Sequence, residues 1–176
     1  MFLSRFVTVA LVCVVLVPAS SGAQRKGEYI TPDEMELVQG IRRIDNRAKV
    51  FLKIADRRLV AIQDPASEPK DTRGTSFGPL PSGSQIELLD DYRRAIEELM
   101  AKLDDEFERT GMSPELYTAL KYTKQEIVRQ LGVLDALKLT QPDADRYAKK
   151  ARAAAEELDE GTTEALANNP APAKKP

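Results

Sequence analysis

From Leu37 to Ile62 the apolar residues Leu37, Ile41, Ile44, Ala48, Phe51, Leu52, Ala55, Leu59 and Ile62 recur three or four positions apart. That interval lays them along one side of an α-helix. Thr31-Pro32-Asp33-Glu34 opens the stretch with an N-cap threonine, a proline at the first helical position and a glutamate at the third, where two side chains can satisfy orphan backbone N–H groups reciprocally. Gly40 weakens the pattern locally without stopping it. The spacing therefore predicts one helix from Pro32 to about Ile62, roughly 46 Å long.

Three further stretches obey the same rule, and strand signals are absent. Ser84-Gln85-Ile86-Glu87 repeats the capping box, and Ile86, Leu89, Tyr92, Ile96, Leu99, Met100, Leu103 and Phe107 keep to one side behind it. Gly111 followed by Met112 fits a left-handed helix ending, and Ser113-Pro114 opens another helix at once. These two helices are expected to form an antiparallel hairpin with almost no loop. The third helix carries Leu116, Leu120, Ile127, Leu131 and Leu134 and gives way at Thr140-Gln141-Pro142-Asp143 to a fourth. The inner face of that fourth helix is Ala144, Tyr147, Ala148, Ala151, Ala154, Ala155 and Leu158, which buries little area, and it is expected to end near Gly161. Between the first two helices, residues 63–83 hold four prolines and three glycines and read as a long loop. Its length leaves a parallel or antiparallel order of those helices open.

Ahead of the helices, Arg5 precedes the apolar run Phe6–Val17, which is followed by Pro18 and small residues ending Ser21-Gly22-Ala23. A charged start, an apolar segment of 12 residues and small residues at the −3 and −1 positions predict a secretory signal peptide over 1–23. A membrane span needs roughly 20 apolar residues, so no stable span is expected once the signal is removed. Cleavage after Ala23 leaves 153 residues at a net charge of −3, because the removed segment holds Arg5 and no acid. It also removes Cys13, the chain's single thiol, so an exported product must rely on a hydrophobic core rather than disulfides. The expected order is signal peptide 1–23, a short lead 24–31, one helical-bundle domain 32–161 and a disordered Ala/Pro/Lys tail 162–176.

Composition removes many chemistries. Among 176 residues there is no histidine, which rules out an imidazole base, a Ser-His-Asp triad and histidine metal or haem ligands. Arg73-Gly74-Thr75-Ser76 lacks both a Walker spacing and a preceding strand, so it does not read as a phosphate loop. No cofactor, metal or catalytic residue is expected, and the near-neutral balance of 26 Lys and Arg against 28 Asp and Glu gives no reason to expect nucleic acid.

Two charge patterns remain. Asp90-Asp91, Glu97-Glu98 and Asp104-Asp105 recur every seven residues, but most of these acids project away from the apolar stripe and read as a solvated face. Over residues 42–58, Arg42, Arg43, Arg47, Lys49, Lys53, Arg57 and Arg58 face only Asp45 and Asp56, a local charge of +5. These seven residues form a candidate interaction face for an anionic envelope polymer, anionic lipid or an acidic protein; the same residues also suit a solvated helix face with pairs such as Asp45 with Lys49.

The sequence thus predicts an exported, all-α, non-catalytic protein: a bundle of three long helices and a weaker Ala-rich fourth, acting in the periplasm or extracellular space as a binding or scaffolding module. Weak, salt-sensitive self-association is expected from its opposed charges. The alternative is a small-ligand or cation-binding bundle with a cavity lined by the hydroxyls of Tyr92, Tyr117, Tyr122 or Tyr147.

Overall fold

The computed structural model describes residues 29–67, 77–169 and 171, and within them the chain is helical, with no strand. The signal peptide over 1–23, most of the lead, part of the 63–83 loop and most of the C-terminal tail lie outside the described residues. Five helices follow in order: α1 Pro32–Gly40, α2 Ile44–Gln63, α3 Gln85–Thr110, α4 Pro114–Asp135 and α5 Ala144–Asn168.

The single first helix expected from Pro32 to Ile62 is two helices. The chain leaves helical geometry at Ile41, with φ −103° and ψ 120°, and re-enters at Ile44. Gly40 has low helix propensity, but tertiary bonding decides the break. A continuous helix would hold residues 34 and 57 about 35 Å apart, whereas Arg57 Nε lies 3.0 Å from Glu34 Oε1. Folding α1 back along α2 makes that contact possible, at the cost of a few helical bonds at the hinge.

The expected caps form as read. Thr31 Oγ1 accepts from Glu34 N at 3.3 Å while Glu34 Oε2 accepts from Thr31 N at 3.0 Å. Ser84 and Glu87 repeat the exchange at the start of α3, and Ser113 Oγ accepts from Leu116 N at 3.1 Å. Gly111, at φ 63°, ends α3 in a left-handed conformation that residues with a Cβ rarely adopt.

Pairwise contacts fix the directions. Lys49 lies over Tyr122, Gln130 Nε2 donates to Leu52 O, and Arg129 pairs with Asp56, so α2 and α4 run parallel. Gln85 Nε2 donates to Lys138 O, and its Oε1 accepts from Thr140 N and Gln141 N, tying the start of α3 to the segment after α4. Helix α3 is therefore antiparallel to α2 and α4, and α5 runs back beside it. The residues 63–83 connect antiparallel neighbours, with Phe77 buried at its far end.

Helices α3 and α4 do not form the packed hairpin expected of them. They stand at opposite corners, each packed on both α2 and α5 and scarcely on each other. Two narrow apolar stripes facing only one another would leave their flanks wet; the diagonal placement buries each stripe against two neighbours. Helix α2 is buried on nearly every side, and the fully enclosed core includes Phe51, Ile54, Leu59, Leu89, Tyr92, Ile96, Leu99 and Ile127.

Helix α5 presents the expected alanine face, with Ala144, Ala151, Ala154 and Ala155 buried, but it does not end near Gly161. It continues to Asn168, so residues 162–168 are helical rather than part of a disordered tail. Leu158, Thr162, Ala165 and Leu166 sustain the three-and-four spacing; Leu158 and Thr162 are buried and the other two pack on the core. This burial outweighs the roughly 1 kcal/mol that a glycine costs inside a helix.

Candidate binding groove and charged faces

The C-terminal halves of α3 and α5 part over the first turns of α4 and leave an open groove of about 370 Å³. Met100, Leu103 and Phe107 form its α3 wall, Leu116 and Leu120 the α4 side, and Leu158, Gly161, Thr162, Ala165 and Asn168 the α5 wall. Space remains because the α5 wall is made mostly of small side chains opposite Met100 and Phe107. Phe107 is 43% exposed, an unusual position for so apolar a side chain.

The groove's charged residues are Asp104, Glu157 and Glu164, and neither Lys nor Arg lines it. Its surroundings share the sign. Residues 97–110 carry six acids against Lys102 and Arg109, and 156–168 carry five acids and no base. Pairs such as Glu98 with Lys102, Glu106 with Arg109 and Glu156 with Arg152 neutralise part of this charge. Asp104, Glu157 and Glu164 make no ion pair among the described residues. The walls therefore present a negative field to anything within about a Debye length, roughly 8 Å at physiological salt.

A second constellation lies inside the fold. Glu34, fully buried, receives Arg58 Nη1 and Nη2 at 2.5 and 2.6 Å as well as Arg57 Nε. Arg58, also fully buried, donates further to Tyr29 O and Ile54 O. Arg57 donates to the carbonyls of Phe77, Gly78 and Pro79 and lies 5.5 Å from the centre of the Phe77 ring. This network fastens the lead, α1 and the end of the long loop to α2. Beside it, Asp91 is half-buried; burial pushes its carboxyl up to about 6, against the opposing pull of Arg58 and Arg94.

The seven residues expected to form one basic face are thus divided. Arg57 and Arg58 are buried and paired, so they leave the surface altogether. The reason is positional: Arg58 stands four residues after Ile54 and seven after Phe51, within the apolar stripe, and Glu34 supplies its countercharge. Arg42 and Arg43 are exposed in the α1–α2 hinge, with Arg43 paired to Asp45 at 3.1 Å. Arg47 is half-buried and donates to Ile41 O at 2.6 Å. Lys49 is exposed over the Tyr122 ring, and Lys53 pairs with Asp56 at 3.2 Å.

The parallel packing of α4 on α2 brings to this surface residues that sequence reasoning did not join to it. Arg129 bridges to Asp56, Lys121 projects outward, and Tyr122 and Val128 are 37% and 53% exposed. The α2/α4 side is consequently basic with two apolar spots, and it lies opposite the α3/α5 side that bears the groove.

The four tyrosines considered for a ligand cavity do not converge. Tyr92 is buried in the core, where burial pushes its hydroxyl well above the usual range. Tyr117, Tyr122 and Tyr147 lie at the surface under Lys121, Lys49 and Lys150. Among the described residues no cluster of three or more acids or thiols is arranged to hold a metal ion, and no helix is long and apolar enough to cross a membrane. Comparison with protein-family models, with curated proteins and with solved structures gave no match.

Proposed function

We propose that this chain is an exported, non-catalytic binding module of the cell envelope or extracellular space, and that the groove between α3 and α5 is its binding surface. The partner is a protein segment that pairs apolar side chains with Lys or Arg. One observation carries the reading: an open apolar groove with Phe107 at the surface and acids on both walls, next to a core that is otherwise filled. Protein partners commonly lay the apolar face of an amphipathic helix into such a groove. Export rests on residues 1–23, and the absence of catalysis on a chain with no histidine and, after cleavage, no thiol.

The chain contains no tryptophan, which makes a direct test simple. An amphipathic Leu/Lys helical peptide carrying one tryptophan should shift its emission to the blue on titration with the protein, while a peptide with Glu in place of Lys should not. Reversing Asp104, Glu157 and Glu164 to Lys removes three exposed attractions of about 0.5 to 1 kcal/mol each and should weaken binding roughly ten- to a hundred-fold. Equal response to both peptides, or an unchanged affinity in the triple variant, would overturn the proposal.

A further inference from the structure

The molecule itself carries a surface of the chemistry this groove calls for. Among the described residues the large apolar side chains that stand exposed are Met35, Phe107, Tyr122 and Val128. Phe107 lies in the acidic groove, whereas Tyr122 and Val128 lie on the basic α2/α4 side with Lys49 and Lys121. Each charged surface therefore has its own apolar centre, and the two surfaces are on opposite sides of one bundle. They cannot meet within a molecule; they can meet between molecules.

Resting on the reading of the groove as a binding surface, we infer that its occupant is a second copy of this chain, presented by the outer face of α4 from Lys121 to Arg129. The dimensions agree. Lys121 and Val128, seven residues apart, share one side of α4 over about 10 Å, the same length as the α3 wall from Met100 to Phe107. Val128 and Tyr122 meet the apolar floor, and Lys121 and Lys49 meet the acids on the walls. The net charge of the full chain is only −2, so copies approach without strong mutual repulsion. The contact joins two different patches, so each copy keeps one groove and one face unused, and association proceeds head to tail.

Sedimentation of the purified protein tests this. Wild type should grow beyond the monomer at low salt and return to it at high salt. A groove variant, Glu157→Lys with Glu164→Lys, and a face variant, Lys121→Glu with Val128→Glu, should each be monomeric at every salt concentration while keeping the wild-type melting curve. An equimolar mixture of the two should form a dimer and nothing larger, because one live groove and one live face remain. Wild type that stays monomeric at low salt, or either variant associating alone, overturns the inference. If wild type is monomeric and the variant Lys174→Glu with Lys175→Glu associates, the groove is covered by the chain's own C-terminus and the inference likewise fails. Monomeric wild type that still binds the Leu/Lys peptide sinks self-assembly alone; failure of both measurements sinks the binding groove as well.

Discussion

Replacing Glu34 with Gln removes the countercharge of two buried guanidinium groups and is the most informative single perturbation of the fold. The carboxylate accepts from Thr31 N at 3.0 Å, from Arg57 Nε at 3.0 Å and from the two terminal nitrogens of Arg58 at 2.5 and 2.6 Å. An amide keeps one acceptor oxygen and turns an NH₂ group toward donors. Arg57 retains its carbonyl partners on Phe77, Gly78 and Pro79, and Arg58 those on Tyr29 and Ile54, so desolvated charge rather than lost hydrogen bonding dominates the cost. Breaking a buried pair in this way costs about 3 to 5 kcal/mol. Glu97→Gln, which cuts a largely exposed pair with Arg93, should cost under about 1 kcal/mol. Removing both charges together in Glu34→Met with Arg58→Met should cost less than Glu34→Gln alone, since no unpaired Arg58 is left behind. Urea melts followed by far-UV circular dichroism read all three. If Glu34→Gln costs no more than Glu97→Gln, or the double variant is the least stable, the network is not the clasp that turns α1 back onto α2.

Asp91 makes stability depend on pH. Its folded carboxyl is raised from 3.8 to about 6, so between these values the folded state holds a proton that the unfolded state has lost, and stability falls as pH rises from about 4 to 6. Asp91→Asn should therefore stabilise the protein at neutral pH by about 1 kcal/mol, discounted for partial exposure, and make little difference near pH 4; a larger gain at pH 4 than at pH 7 in urea melts contradicts this. Gly132 and Gly161 lie inside helices with open space where a Cβ would go, so replacing each with Ala should add about 0.5 to 1 kcal/mol in the same melts. Ile127→Ala, in the fully enclosed core, should cost about 2 to 5 kcal/mol. N-terminal sequencing of protein recovered from outside the cytoplasm should begin at Gln24; a product that retains Met1 and fractionates with membrane would contradict export by cleavage.

Local signals in the sequence were legible because each depends on residues close together. Thr31 with Glu34, Ser84 with Glu87, Ser113 before Pro114 and Gly111 after α3 mark helix ends through bonds that span three or four residues. Long-range partnerships were not. Charge counted along α2 treats Arg57 and Arg58 like Arg42 and Arg43, although Glu34 of a neighbouring helix withdraws the first two from solvent. The available warning was Arg58's place within the apolar stripe. The groove escaped for a related reason: Gly161 looked like a helix ending, and only the contacts of Leu158, Thr162 and Ala165 with the core show α5 running on to build a wall of small side chains opposite Phe107. The diagonal placement of α3 and α4 follows from which neighbours bury their stripes, information that no single helix contains.

Methionine methyl groups offer the most direct test of the binding groove. Met100 lines it, whereas Met35 lies exposed on α1 away from it. With methionine methyls isotopically labelled, titration with the Leu/Lys peptide should move the Met100 resonance in a saturable manner and leave Met35 unmoved, and the shift should disappear in the Asp104, Glu157 and Glu164 charge-reversal variant. A Met100 resonance that stays in place while the peptide binds, or one that moves no more than Met35, would contradict the central claim that this groove is where the protein meets its partner.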